Sequence, residues 1–171
     1  MRQKKYPKSG VTINALAPAV VMTSRSGVIF LSLQSQSTER QGLPRMTKRE
    51  IKHPEKLTAT GSYSAGVYAD GWLFISGQGP LDLRTGQVVH GSIGEETRLT
   101  MQHIGKILAA AECNFNDVVK CTCHLSNIAD FEQFDRVYSE FFTGILPART
   151  TVQAVLWGGI KVEIDAIARK V

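Results

Sequence analysis

From residue 58 onward the apolar residues of this chain change period four times, and that alternation limits the folds open to it more than any other feature. Tyr63–Ala69 and Trp72–Ser76 are strand-like runs meeting at Asp70-Gly71, a pair suited to a two-residue hairpin turn. Gly77-Gln78-Gly79-Pro80 ends the second run, and Asp82 with Thr85-Gly86 predicts a turn into a short strand at Val88-Val89. Ser92-Ile93-Gly94-Glu95 is a capping-box pattern. Beyond it, Ile93, Thr97, Met101, Ile104, Leu108 and Ala111 recur at spacings of three and four, one apolar face of a long helix ending near Cys113-Asn114. Asp117–Leu125 reads as a strand. Asp130 is placed to cap a second helix, with Phe131, Phe134, Tyr138, Phe141 and Phe142 along one aromatic face and Gly144 and Pro147 as its stop. Two last strands, Arg149–Val155 and Lys161–Ala168, flank Trp157-Gly158-Gly159.

The order β-β-(β)-α-β-α-β-β predicts an α+β fold, a mainly antiparallel sheet with two helices on one face. The other face then needs a cover. The predicted elements supply no third helix, so self-association with cyclic symmetry is the economical solution.

At 171 residues the chain suits one domain with a proper core. The net charge of +5 is unevenly placed. Residues 1–45 hold seven Lys/Arg and one acid, whereas the rest holds 13 basic and 14 acidic residues. A near-neutral globular part offers no broad electrostatic footprint for nucleic acid, which is not expected as a partner. The first 45 residues read as a basic leader outside the domain at 46–171. A start upstream of Met46, or a mitochondrial transit peptide, fits their composition better than a secretory signal. The expected location is cytoplasmic, or mitochondrial if the leader is a transit peptide. Three cysteines with no clear secretion signal argue for free thiols. No apolar run approaches the ~20 residues of a membrane helix.

Arg149 and Glu163 each put a charge into strand text that is otherwise apolar or Thr-rich. They could be surface charges or a structural ion pair. Alternatively, Arg149 could grip a carboxylate through two parallel hydrogen bonds, and Glu163 could handle a proton or a water. The two strands are expected to be neighbours, with the charges side by side. Ser76-Gly77 at a strand end would let backbone N–H groups approach a ligand. Cys121 and Cys123 alternate away from His124 and no second Cys/His cluster exists, so core cysteines are expected and no metal site. His53, His90 and His103 read as isolated surface residues, and the aromatic face as core.

These segments in this order resemble the YjgF/RidA family of reactive-intermediate (enamine/imine) deaminases, also known as endoribonuclease L-PSP-like proteins. The matching text is Tyr63-Ser64-x-Gly66-Val67, Ile75-Ser76-Gly77-Gln78-x-Pro80, Thr85-Gly86, Asp117-Val118-Val119-Lys120, Asp130-Phe131, Tyr138-x-x-Phe141-Phe142, Pro147–Val152 and Val162–Ala168. The resemblance implies a chorismate-mutase-like fold and a homotrimer with clefts between subunits. It implies a cofactor-free hydrolase that converts 2-enamine/2-imine acids of the 2-aminoacrylate type to 2-oxo acids and ammonia. Arg149 is then the carboxylate clamp and Glu163 positions or activates water, while Tyr63, Ser76, Gly77, Thr151 and Phe131 complete the pocket. Thr151 stands where some members carry Cys, Ala129 replaces an Asn often found before Asp-Phe, and Trp157-Gly158-Gly159 replaces the more usual Leu-Pro. Rival readings are a non-catalytic binder of small carboxylates and a ribonuclease or translation inhibitor.

Overall fold

The computed structural model describes residues 47–170; the basic leader read from the sequence lies outside them. Along the chain come β1 (Lys48–Ile51), β2 (Gly66–Ala69), β3 (Trp72–Gln78), α1 (Ile93–Ala110), β4 (Val118–Leu125), α2 (Phe131–Ser139), β5 (Ala148–Gln153) and β6 (Val162–Arg169). The strands form one sheet in the order β1-β2-β3-β6-β4-β5. Every pairing is antiparallel except that of β4 with β5. This is the expected α+β layout.

Local chemistry explains most elements. Asp70 and Gly71 both take positive φ, 49° and 82°, which gives the hairpin turn its right-handed match to β2 and β3. Ser92 caps α1, accepting from Glu95 N–H while the Glu95 carboxylate accepts from Ser92 N–H. The expected Asp130 cap is not made: its side chain bonds no helix N–H. A 3-10 turn at Ile128–Asp130 enters the helix instead, and Asn127 caps that turn by accepting from Ala129 N–H. α2 also stops earlier than the aromatic spacing suggests, at Ser139, and Phe141 and Phe142 pack on Phe115 from beyond its end. Leu81 and Val88 make a single bridge where a short strand was expected. Lys48–Ile51, unassigned from the sequence, adds an edge strand whose first three residues are exposed and charged, a type of edge that resists further pairing.

The strand order corrects one expectation. β5 and β6 are not neighbours, because β4 lies between them. Burial decides it. β6 buries Val162, Ile164, Ala166 and Ala168 and belongs in the middle of a sheet, whereas β5 (Ala-Arg-Thr-Thr-Val-Gln) has no fully buried residue and belongs at an edge. The core fills the space between the sheet and the helices, with Leu73, Cys121, Cys123, Leu125 and Ile164 facing Met101, Ile104, Ile107, Leu108 and Phe134. Cys121 and Cys123 are core residues as expected, and burial pushes both thiols up, Cys123 to about 12. The opposite sheet face stays open along Val67, Phe74 and Ile167, which share one register row, with Phe74 46% exposed.

Two buried polar features were not read from the sequence. Glu96, on the first turn of α1, is 1% exposed. One carboxylate oxygen accepts the Lys161 N–H at 2.6 Å, and the other accepts Gly91 N–H and Lys161 Nζ, each at 3.2 Å. His53 and His103, expected at the surface, are 4% and 5% exposed and meet edge to face at 5.2 Å between ring centroids; His90 is exposed as expected. Glu55 N–H donates to His53 Nδ1, and His103 Nε2 faces the Leu81 carbonyl, which can only accept. The bond into Nδ1 holds the His53 ring neutral, while for His103 burial lowers the pKa against the opposing pull of the Leu81 carbonyl. Burial, aided by His103 and Lys106, pushes His53 down to about 4.

The consequence for stability has a definite sign. An unfolded His53 takes a proton near pH 6.5 and the folded one only near pH 4, so its contribution is complete above pH 6.5 and falls away as pH drops toward 4. The loss amounts to roughly 3 kcal/mol. In urea unfolding followed between pH 7 and pH 4, His53→Asn is expected to flatten the decline of stability relative to the parent chain; parallel curves would assign the decline elsewhere.

Candidate active site

The residues expected to form one site emerge in two groups, and the sheet separates them. Arg149 of β5 pairs with Cys121 of β4, and Glu163 of β6 pairs with His124 of the same strand. Cys121 and His124 lie three residues apart on β4, so their side chains leave opposite faces, as do those of Arg149 and Glu163. The expectation that the two charges sit side by side is therefore wrong within one chain.

The first group lies on the helix side of the sheet edge. Arg149 reaches over α2, where its Nη1 donates to Asp135 Oδ1 at 2.6 Å. Its guanidinium carbon stands 4.8 Å from the centre of the Tyr138 ring, 5.3 Å from Phe131 and 5.4 Å from Phe134. The aromatic face of α2 thus serves twice: Phe134 and Tyr138 fill the core, and the same rings form a floor that attracts a flat cation. Phe131, 37% exposed, extends the floor to solvent. Asp135 fixes one arm of the guanidinium and leaves Nη2 and Nε without a protein partner among the described residues. Thr151, two residues along β5, lies on the same face as Arg149, and its buried hydroxyl has no partner among the described residues. Asp135 was not singled out from the sequence. Its signal was its place one turn after Phe131, on the face of α2 turned toward β5, and only the parallel β4–β5 pairing makes that visible.

The second group lines a cavity of about 200 Å³ that includes Tyr63, Gly77, Trp157, Ile160 and Glu163. Here β3 and β6 lose register between Ile75 and Gln78, which swings Gly77 against Glu163. A Cβ on Gly77 would lie 2.5 Å from Glu163 Oε1, so only glycine leaves the carboxylate where it is. Ser76 does not line this cavity. Its hydroxyl donates to the Ser64 carbonyl at 2.7 Å and its N–H to the Ala65 carbonyl at 3.0 Å, which fastens the loop carrying Tyr63 to β3. Tyr63 belongs to a chain of hydrogen bonds. Lys56 Nζ donates to Thr60 Oγ1 at 2.7 Å, and Thr60 Oγ1 lies 2.6 Å from Tyr63 Oη. An ammonium can only donate, so Thr60 Oγ1 accepts from Lys56, and between Thr60 and Tyr63 either hydroxyl can be the donor. Thr60 and Lys56 were also missed; they lie in a loop without period.

Within one chain, then, the guanidinium stands on one face of the sheet and the carboxylate cavity opens on the other. The sequence model of the endoribonuclease L-PSP family matches residues 53–170, and the chain belongs to that family, the YjgF/RidA family. A mouse protein named 2-iminobutanoate/2-iminopropanoate deaminase is 45% identical over 122 residues, 71% of this chain and 90% of the mouse protein. The crystal structure of the E. coli YjgF gene product superposes with a TM-score of 0.67 at 30% identity, covering 72% of this chain and 99% of that one. E. coli TdcF, solved with bound serine, gives the same TM-score, identity and coverage.

The Gly77–Glu163 contact can be tested directly. Gly77→Ala is expected to leave folding stability within about 1 kcal/mol but to push the Glu163 carboxylate aside, and a shift near 1 Å at a reacting group lowers turnover by on the order of 100-fold. A crystal structure of the variant with Glu163 unmoved and turnover retained would remove Gly77 from the site.

Proposed function

We propose that the chain is a hydrolase of 2-imino acids, releasing ammonia and the corresponding 2-oxo acid. The observation that carries this reading is the pairing of an aromatic-floored Arg149 with a glycine-cleared Glu163. One is a group for a carboxylate, the other a group for a water, and relatives named as deaminases of short 2-imino acids cover most of the chain. The amino acid bound in TdcF carries the same carboxylate that Arg149 is shaped to hold.

In the proposed site, Arg149 grips the substrate carboxylate with the N–H groups that Asp135 leaves free and holds the imine carbon toward Glu163. Glu163 takes a proton from water as the water oxygen bonds to the imine carbon and passes it to the nitrogen, which gives a carbinolamine. Glu163 then takes the carbinolamine hydroxyl proton as the carbonyl forms and delivers it to the nitrogen as the C–N bond breaks, so that ammonia departs and the carboxylate is restored. Tyr63 lines the same cavity, its hydroxyl within hydrogen-bond distance of Thr60. Water is a competent nucleophile toward an imine, so positioning supplies much of the rate. The near-balanced charge of residues 46–171 gives a ribonuclease reading no support.

Because the two groups leave opposite faces of one sheet, the complete site is assembled from Arg149, Thr151 and Phe131 of one copy and Tyr63, Gly77 and Glu163 of a neighbour. A homotrimer, with three such clefts, is the proposed assembly. It also covers the open row of Val67, Phe74 and Ile167.

Mixing variants tests clamp, water site and assembly together. Arg149→Ala and Glu163→Gln, each alone, are expected to lose two orders of magnitude or more of ammonia release, about the worth of one well-placed polar group. Co-refolded in equal amounts, they are expected to regain about a quarter of parental activity, since random assembly leaves that share of clefts with both groups intact. No recovery would mean that a single chain holds the whole site.

A further inference from the structure

We infer that Trp157 selects the substrate's side chain and gives this chain a preference for 2-imino acids with branched aliphatic or aromatic side chains. The inference rests on the deaminase reading and deepens it. Trp157 is 70% exposed, so it is not held in place by burial in the core. A tight turn holds it instead. Gly158 and Gly159 both take left-handed backbone, φ 66° and 72°, and a Cβ on Gly158 would lie 3.0 Å from Val88 Cγ2. The far end of that turn is clamped where Lys161 N–H donates to the buried Glu96. Two conformationally demanding glycines and a buried carboxylate thus set the backbone from which the indole projects.

It lines the cavity that holds Glu163, together with Tyr63, Leu81 and Ile160. With the carboxylate on Arg149 and the imine carbon at Glu163, the substrate's remaining substituent has this largely apolar wall to lie against. The cavity holds about 200 Å³. A methyl group is close in size to one water, about 30 Å³ of liquid volume. The methyl of 2-iminopropanoate therefore leaves most of the wall wet, whereas an isobutyl or benzyl group covers the indole, Ile160 and Leu81 together. Covering more apolar wall favours the larger side chain.

The test compares imines generated in situ by an amino-acid oxidase from leucine, phenylalanine and alanine, using the full chain with Trp157→Ala and Trp157→Phe. Binding of 4-methyl-2-oxopentanoate and of pyruvate is measured in parallel by calorimetry. The parent is expected to favour the leucine- and phenylalanine-derived imines in kcat/KM. Trp157→Ala is expected to lower that preference by about 10-fold or more, the usual worth of a methylene-sized contact or two. Trp157→Phe, which keeps an aromatic plate, is expected to retain most of it and serves as the folded control. An unchanged preference in Trp157→Ala overturns the inference. A rise does so too, since it would make Trp157 a barrier to large side chains. If the parent releases no ammonia from any imine yet binds 4-methyl-2-oxopentanoate over pyruvate, and Trp157→Ala loses that bias, the deaminase reading falls and the role of Trp157 stands. Absence of both turnover and binding bias removes the two together.

Discussion

The buried carboxylate of Glu96 is the interaction on which the rest of the structure most depends. A carboxylate withdrawn from water is costly unless donors replace the lost hydration, and here three do. Those donors come from two distant stretches, the turn before α1 and the residue just before β6. Gly91, the first turn of α1 and Lys161 are thereby fixed to one another without help from the apolar core. Glu163 lies two residues beyond Lys161 and Trp157 four before it. The helix, the central strand, the candidate water-handling carboxylate and the indole beside it share one anchor, and losing it would strand backbone N–H groups inside the protein.

A second organising constraint is the edge position of β5. An edge strand can be polar, and this one uses that freedom to carry Arg149 out over α2. The guanidinium gains an aromatic floor and an acidic partner there, at 22% side-chain exposure. The contrast with Glu163 is instructive. It occupies the central strand, yet it projects from the open face and owes its clearance to a glycine and a register shift. One charge is kept by what surrounds it and the other by what is missing beside it.

Much of this was legible in the chain. Asp70-Gly71, the capping box at Ser92 and Glu95 and the alternation of Val162–Ala168 are local signals, and the structure follows each of them. Fold class and family followed from their order. What escaped was set by nonlocal choices. Periodicity gives each strand its two faces but not its neighbours, so the insertion of β6 between β3 and β4 was invisible, and with it the separation of Arg149 from Glu163. Asp130 looked like a cap because its spacing to Phe131 is right; Asn127 took the equivalent task one short turn earlier. Two glutamates follow Ser92, and the cap needs only Glu95. The surplus acid at Glu96 was a signal, though its partner Lys161 lies 65 residues away. His53 and His103 lacked any local pattern because each is buried by the other's element.

Placing the clamp and the water-handling carboxylate on opposite faces of one sheet has a kinetic consequence in the arrangement proposed. Catalysis becomes a function of protein concentration as well as of substrate. In that arrangement isolated chains would carry all the required residues and complete no cleft, so dilution would act as an inhibitor and association as the activator. Specific activity would then rise with protein concentration until assembly saturates, and the cell's expression level of the chain would set the fraction of it that is an enzyme.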